Sequence, residues 1–230
     1  PKAFTDKVSQ AFRDLVAKMN YSPDNFIRTT EPRHYKASQA LWEKLVASGD
    51  IYLGSYAGWY SVRDETYFVE GETEVGPDKK RRATATGAEV EWVEEPSYFF
   101  KLSAWADRLL AFYEQNPGFI GPDSRRNEIL SFVRGGLQDL SVSRTSFSWG
   151  VPVPGDTRHI MYVWLDALTN YITECGYPDT NNPLWKYWPA DLHMVGKDII
   201  RFHCVFWPAF LMSAGIAPPK RVFAHGWWTN

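Results

Sequence analysis

The chain has 230 residues, with 25 Lys and Arg against 27 Asp and Glu, 44% hydrophobic residues and 16% aromatic residues including 11 Trp. This length allows one large domain or two modest ones with a sizeable core, and the near-balanced charge excludes a global electrostatic footprint for nucleic acid, so any contact with RNA is local. The two distant cysteines, Cys175 and Cys204, exclude a disulfide framework and a zinc knuckle and fit a reducing cytosol; no signal peptide or membrane-spanning apolar stretch is expected.

The first residue is Pro1 rather than Met, and Asn230 closely follows a strand-like run. Both ends are therefore expected to be cuts through a larger protein. From Lys2 to Met19 the apolar residues Phe4, Val8, Phe12, Leu15, Val16 and Met19 form one stripe of an amphipathic helix. A second helix is expected over Tyr35–Ala47, closed by Gly49. Ile51–Tyr60, aromatic and glycine-rich, reads as strands with tight turns. Gly71–Gly87 is polar, carries Lys79, Lys80, Arg81 and Arg82, and reads as an exposed loop or hairpin tip that could touch an RNA backbone. Helices are expected at Ser103–Glu114 and Asp123–Leu137.

Past Ser141 strands and helices alternate. Phe147–Val153 is strand-like, and Ile160–Leu165 is a continuous apolar run, as in a strand buried on both faces. Ala167–Glu174 is helical and closes at Gly176. His193–Val195 is a short strand, Ile199–Ala214 a long helix ended by Gly215, and Arg221–His225 a third strand. This alternation implies a parallel sheet with crossover helices.

Ligands of such sheets bind beyond the carboxyl ends of the strands. Those ends would be Trp164-Leu165-Asp166, Gly196-Lys197-Asp198 and His225-Gly226-Trp227, all on one edge. Gly196 would let a ligand approach the backbone, and Asp198 could cap the next helix, whose N-terminus favours anions; on spacing alone a capped helix after a tight turn is the favoured reading. Ile199, His203 and Trp207 share one helical face, and Trp164, Ala167 and Tyr171 another. Both faces suit a small pocket, and both also suit plain core packing. Arg144 could pair with a carboxylate or a ligand, or form a surface salt bridge. His34, His159 and His193 show no metal-ligand spacing.

Several stretches carry a family resemblance. Ile51-Tyr52-Leu53-Gly54-Ser55-Tyr56-Ala57-Gly58-Trp59-Tyr60 and Trp92-Val93-Glu94-Glu95-Pro96-Ser97-Tyr98-Phe99-Phe100 resemble the connective domain of methionyl-tRNA synthetases. Asp139-Leu140-Ser141-Val142-Ser143-Arg144, Tyr162-Val163-Trp164-Leu165-Asp166-Ala167, His193 to His203 and His225-Gly226-Trp227 resemble the second half of their catalytic domain. The resemblance implies an α/β fold, the second half of a Rossmann-like parallel sheet domain with an inserted mixed α+β connective domain. Residues 1–29 would end the first Rossmann half, 30–138 form the connective domain, and 139–230 the second half with the methionine and ATP site.

It also implies a methionine–tRNA ligase, in which methionine and ATP give methionyl-adenylate, whose methionyl group passes to tRNA(Met). Trp164, Ala167, Leu168, Tyr171, Ile199, His203 and Trp207 would line the methionine side-chain pocket, where His203 or Tyr171 could offer the sulfur a weak hydrogen bond. Leu168 stands where some members have proline. Arg144 is similar to an arginine that pairs with an acidic residue near the substrate amino group, a partner expected outside this chain. Gly196, Lys197, Asp198, His225, Gly226 and Trp227 would hold ATP, which brings Mg2+.

The family's His-x-Gly-His element is absent from the sequence, the Lys-Met-Ser-Lys-Ser loop is expected beyond Asn230, and no anticodon-binding helical domain is present. The segment alone is expected to be inactive. Ser61 and Asp64 stand where many relatives carry the first Cys-x-x-Cys of a zinc site, so a knuckle-like hairpin without zinc is expected. The parent protein is expected to be a cytoplasmic monomer that acts on the tRNA acceptor end. A class I enzyme of the leucine–isoleucine–valine group would need a large editing domain, for which there is no room; a non-enzymatic binding module is the other alternative.

Overall fold

A computed structural model describes residues 1–63 and 66–227. Helix α1 (Lys2–Lys18) follows the expected stripe, yet none of its residues is buried, and Phe4 and Phe12 are 71% and 58% exposed. Arg28 ties it to the following stretch through Asp6 at 3.1 Å. Helix α2 (Pro32–Ala47) starts ahead of the expected Tyr35, because a proline in the first turn gives up a donor that has no partner there. Its buried His34, Ala37, Ser38, Leu41, Trp42 and Leu45 repeat at helical spacing, and Gly49 closes it at φ +79°.

Strand β1 (Ile51–Ser61) is one continuous strand of 11 residues, where tight turns were expected. β2 (Thr66–Phe68), β3 (Thr73–Val75), β4 (Arg81–Ala83) and β5 (Glu91–Phe100) follow. β1 and β5 pair antiparallel from Ile51 opposite Phe100 to Tyr60 opposite Glu91. Gly54 makes room for a ring rather than a turn: a Cβ there would meet Phe99 at 3.2 Å, and Phe99 stacks on Tyr52. The polar stretch 71–87 is the expected hairpin, β3 against β4, with Lys79 at φ +65° in its tip. Arg82 pairs with Asp78 at 2.5 Å, Lys80 with Glu89 and Arg81 with Glu70, each at 2.8 Å, as in a solvated tip that neutralises itself. Ser61 ends β1, whereas Asp64 lies outside the described residues. Among the described residues no group of three or more His, Cys, Asp or Glu could hold a metal ion.

Helix α3 (Ala106–Gln115) is entered through a 3-10 turn, Leu102–Trp105. The two-residue strand β6 (Ile120–Gly121) is unforeseen in the sequence. Helix α4 (Asp123–Arg134) stops at Gly135, short of the expected Leu137, and Gly136 follows at φ +99°. Then come β7 (Leu140–Ser141), β8 (Ser143–Arg144), β9 (Pro152–Val153), β10 (Asp156–Met161), α5 (Val163–Glu174), β11 (His193–Gly196), α6 (Trp207–Ser213) and β12 (Val222–His225).

The antiparallel sheets run β2-β1-β5-β7 and β8-β10-β9, and the parallel sheet runs β11-β12-β6. The expected parallel strand Ile160–Leu165 is a misreading. The strand ends at Met161, pairs antiparallel with β8 and β9, and gives way to helix at Val163. A short apolar run serves a buried strand end (Ile160, Met161) and a buried first helical turn (Leu165) equally, so periodicity cannot separate them. One apolar cluster spans the elements, joining Leu41, Trp42 and Leu45 of α2 to Phe100, Tyr113, Ile129, Val195, Trp207, Phe210 and Val222. Full burial of such side chains contributes roughly 1.5–3 kcal/mol each and fixes the elements that carry the site. Among the described residues no helix is long and apolar enough to cross a membrane.

Candidate active site

α5 begins after Tyr162, whose extended backbone (φ −78°, ψ 150°) caps it. Trp164, Ala167 and Tyr171 lie along one partly buried face, while Leu165, Leu168, Thr169, Ile172 and Thr173 are buried. Leu168 thus belongs to the core behind the wall. Asp166 reaches across to α2, where His34 Nε2 stands 2.6 Å from its Oδ1 and His34 Nδ1 stands 3.1 Å from Thr173 Oγ1. These contacts lock the helix that carries Trp164 and Tyr171 onto α2. Spacing alone gives His34 no role, because its partners are 132 and 139 residues away.

The segment after β11 is not the single helix Ile199–Ala214 expected from the sequence. It runs as a 3-10 turn (Lys197–Ile199), a π-helical stretch (Phe202–Phe206) and then α6. Pro208 accounts for the change. It has no N–H to offer the Cys204 carbonyl, which instead accepts the Tyr113 hydroxyl at 2.6 Å, and the Trp207 N–H bonds the carbonyl five residues back, on Phe202. The wider turn brings Phe202 face to face with Trp164, ring centroids 3.3 Å apart. Spacing on an ideal helix missed Phe202; Pro208 was the signal.

The two expected faces do converge. Tyr171 meets His203 edge-on at 5.6 Å and lies 6.3 Å from Trp207. His203 Nδ1 lies 3.0 Å from the Ile199 carbonyl, an acceptor only, so Nδ1 carries the proton. Burial holds the imidazole neutral, pushing its pKa below the ordinary histidine value. Nε2 is then the acceptor of a hydrogen bond that the Tyr171 hydroxyl donates at 2.7 Å. Burial also pushes the Tyr171 phenol up to about 12. With its one proton given to His203, Tyr171 presents to the site a ring face and oxygen lone pairs rather than a free donor.

Two of the three expected strand ends meet. Gly196 is paired in register with His225 across the parallel ladder, so Gly196-Lys197-Asp198 and His225-Gly226-Trp227 leave the sheet side by side. The Asp198 carboxylate folds back over Gly196, where any Cβ would collide with it. Asp198 lies in the first turn and makes no cap hydrogen bond. Lys197 Nζ sits 5.1 Å from the centre of the Trp227 ring, and His225 Nδ1 lies 2.7 Å from the Gly226 carbonyl. The third, Trp164-Leu165-Asp166, is the first turn of α5 and not a strand end.

Residues 1–230 match the profile of the family described as tRNA synthetases class I (M). The chain belongs to that family. The methionine–tRNA ligase of Brucella suis is 63% identical over 230 residues, which are all of this chain and 44% of the relative; that of Rickettsia typhi is 60% identical with the same coverage. A crystal structure of Mycobacterium tuberculosis methionyl-tRNA synthetase bound by methionyl-adenylate superposes with a TM-score of 0.90 at 58% identity, over 100% of this chain and 45% of that one. The apo form gives a TM-score of 0.85 at 59% identity, over 98% of this chain and 46% of that one. The chain spans less than half the length of these synthetases.

In this class I synthetase chain Arg144 is no surface residue. It is buried in β8, its guanidinium stacks 3.9 Å from the Tyr162 ring centre, and its Nη1 donates to the Ser143 carbonyl at 2.9 Å and to Ser141 Oγ. A carboxylate of the same chain, Glu95, stands 3.8 Å from its Nε. Arg144 reaches the start of α5 through Tyr162. His193, also without a role from spacing, proves to be part of that cluster, 3.9 Å from the Tyr171 ring centre.

Proposed function

We propose that the protein containing this chain is a methionine–tRNA ligase. The carboxylate of methionine attacks the α-phosphorus of ATP in line, pyrophosphate leaves, and the methionyl group of the adenylate passes to the 2′-hydroxyl of the terminal adenosine of tRNA(Met). Such a reaction needs positioning and charge stabilisation more than covalent help. The observation that carries the reading is the convergence of two aromatic faces beside two paired strand ends, in a chain similar along its whole length to methionine–tRNA ligases.

Trp164, Ala167, Tyr171, Ile199, His203 and Trp207 line the methionine side chain, with Leu168 behind them. Polarizable ring faces suit a thioether, and the committed Tyr171 proton favours ring contact over a strong hydrogen bond to sulfur. Arg144 pairs with an acidic residue outside this chain, near the amino group of the substrate, and supports the start of α5 through Tyr162. Gly196, Lys197, Asp198, His225, Gly226 and Trp227 seat the adenosine, with Asp198 toward the ribose hydroxyls. Mg2+ comes with the phosphates of ATP; no residue of this chain is assigned to it. The antiparallel sheet with its β3–β4 hairpin is assigned to a connective domain within residues 30–138, residues 139–230 to the second Rossmann half, and residues 1–29 to the end of the first. The parent protein works in the cytoplasm as a monomer, on the acceptor end of the tRNA.

ATP–pyrophosphate exchange by the full-length protein across the amino acids tests the reading. Methionine is expected to be preferred, and preference for any other amino acid refutes it.

A further inference from the structure

We propose that His193 is a positioning residue for methionine recognition, a flat backstop that fixes the plane of the Tyr171 ring beside His203; the proposal rests on the methionine reading above. Tyr171 is the link between the two aromatic faces. Its oxygen is tied to His203 Nε2 at 2.7 Å, but one hydrogen bond leaves the phenol free to swing about that point. The second constraint is His193, whose ring lies nearly parallel to Tyr171, 22° between planes and 3.9 Å between centroids. His193 stands perpendicular to His203 (89°, 6.1 Å) and is backed by Trp188 at 6.1 Å.

The backstop itself is rigid. His193 is the first residue of β11, its backbone N–H donates to the Arg221 carbonyl at 2.8 Å, and it is paired with Val222 in the parallel ladder. Trp188 is buried, with its Nε1–H given to the Ala217 carbonyl at 3.0 Å. Three residues beyond His193 the same strand ends at Gly196, beside His225. One strand therefore carries both the stop for the side-chain wall and the start of the adenosine seat. A ring that contacts Tyr171 and sits on this strand keeps the two halves of the site in register.

The His193 imidazole is 4% exposed, and among the described residues neither of its nitrogens has a hydrogen-bond partner. Exchange for an apolar side chain therefore breaks no hydrogen bond, and removal of buried, unpaired polar atoms favours folding. Effects on substrate recognition and on stability are thus separable at this position.

The test compares His193→Phe with His193→Leu in the full-length protein, by ATP–pyrophosphate exchange with methionine and ATP varied in turn. Phe keeps a ring face and Leu does not. The thermal midpoint of His193→Phe is expected at or above that of the wild type, and that of His193→Leu, which gives up the ring contact with Tyr171, within about 5 °C of it. His193→Leu is expected to raise the methionine KM about three- to tenfold, the range an aromatic pair contributes, while kcat and the ATP KM stay within about twofold. His193→Phe is expected to keep the methionine KM within about twofold of the wild type. An unchanged methionine KM in His193→Leu overturns the proposal, and so does an equal rise for methionine and ATP. An equal rise in both variants overturns it too, since the effect would then belong to the ring nitrogens. Wild-type protein that fails to prefer methionine sinks the underlying reading, and this is seen before any substitution is made.

Discussion

His193 and His203 sit in one buried cluster and are both held neutral by desolvation, yet they differ in how their nitrogens are used. His203 has both committed, to the Ile199 carbonyl and the Tyr171 hydroxyl. His193 has neither committed among the described residues, and burial pushes its pKa from 6.5 to about 3. Between those two values the unfolded chain takes up a proton that the folded imidazole refuses. Folding stability therefore falls as pH drops from about 6.5 toward about 3, by about 1.4 kcal/mol per pH unit from this group alone. Urea unfolding at pH 7 and pH 4.5 checks the claim: His193→Phe is expected to lose about 2–3 kcal/mol less than the wild type across that interval. Equal losses would show that His193 titrates near its ordinary value. At this scale the sequence was a partial guide. Tyr171 and His203 are legible from helical spacing, whereas His193 lies on a strand and meets Tyr171 only through the packing of β11 against α5.

The elements show how one residue can redirect a helix. Pro208 removes the donor that the Cys204 carbonyl would have had, and buried Tyr113 supplies a hydroxyl in its place. Burial pushes the Tyr113 phenol well above its ordinary pKa, so it stays a donor. Tyr113→Phe is expected to leave that buried carbonyl unpaired and to cost about 1–3 kcal/mol. Pro208→Ala restores a backbone donor, so in the double variant the same loss should shrink to below about 1 kcal/mol. Chemical denaturation of the four proteins of this cycle measures the coupling, and additive losses would exclude the compensation. The same logic explains the misread strand. The run from Ile160 to Leu165 is apolar for two reasons in succession, a strand end and then a helix start, and only the antiparallel pairing of β10 with β8 and β9 separates them.

At the scale of the molecule, the family resemblance places the groups expected to grip the phosphates of ATP outside these 230 residues, so catalysis is expected only from a longer protein. The 230-residue chain alone should give no methionine-dependent ATP–pyrophosphate exchange above a no-protein control under conditions where the full-length protein is active; robust exchange by the chain would mean that it holds phosphate-binding groups of its own. The sequence by itself determined the family, the order of most elements, and the two faces made of Trp164, Ala167 and Tyr171 and of Ile199, His203 and Trp207. These are local matters, because helical spacing and short motifs are properties of neighbouring residues. Only the tertiary structure decided that Phe202 stacks on Trp164, that His193 backs Tyr171, that Glu95 stands beside Arg144, and that Ile120-Gly121 joins the parallel sheet. Each of those joins residues more than 20 apart in the chain. The free energy of such a contact depends on which surfaces the whole core brings together, and no window of sequence contains both partners.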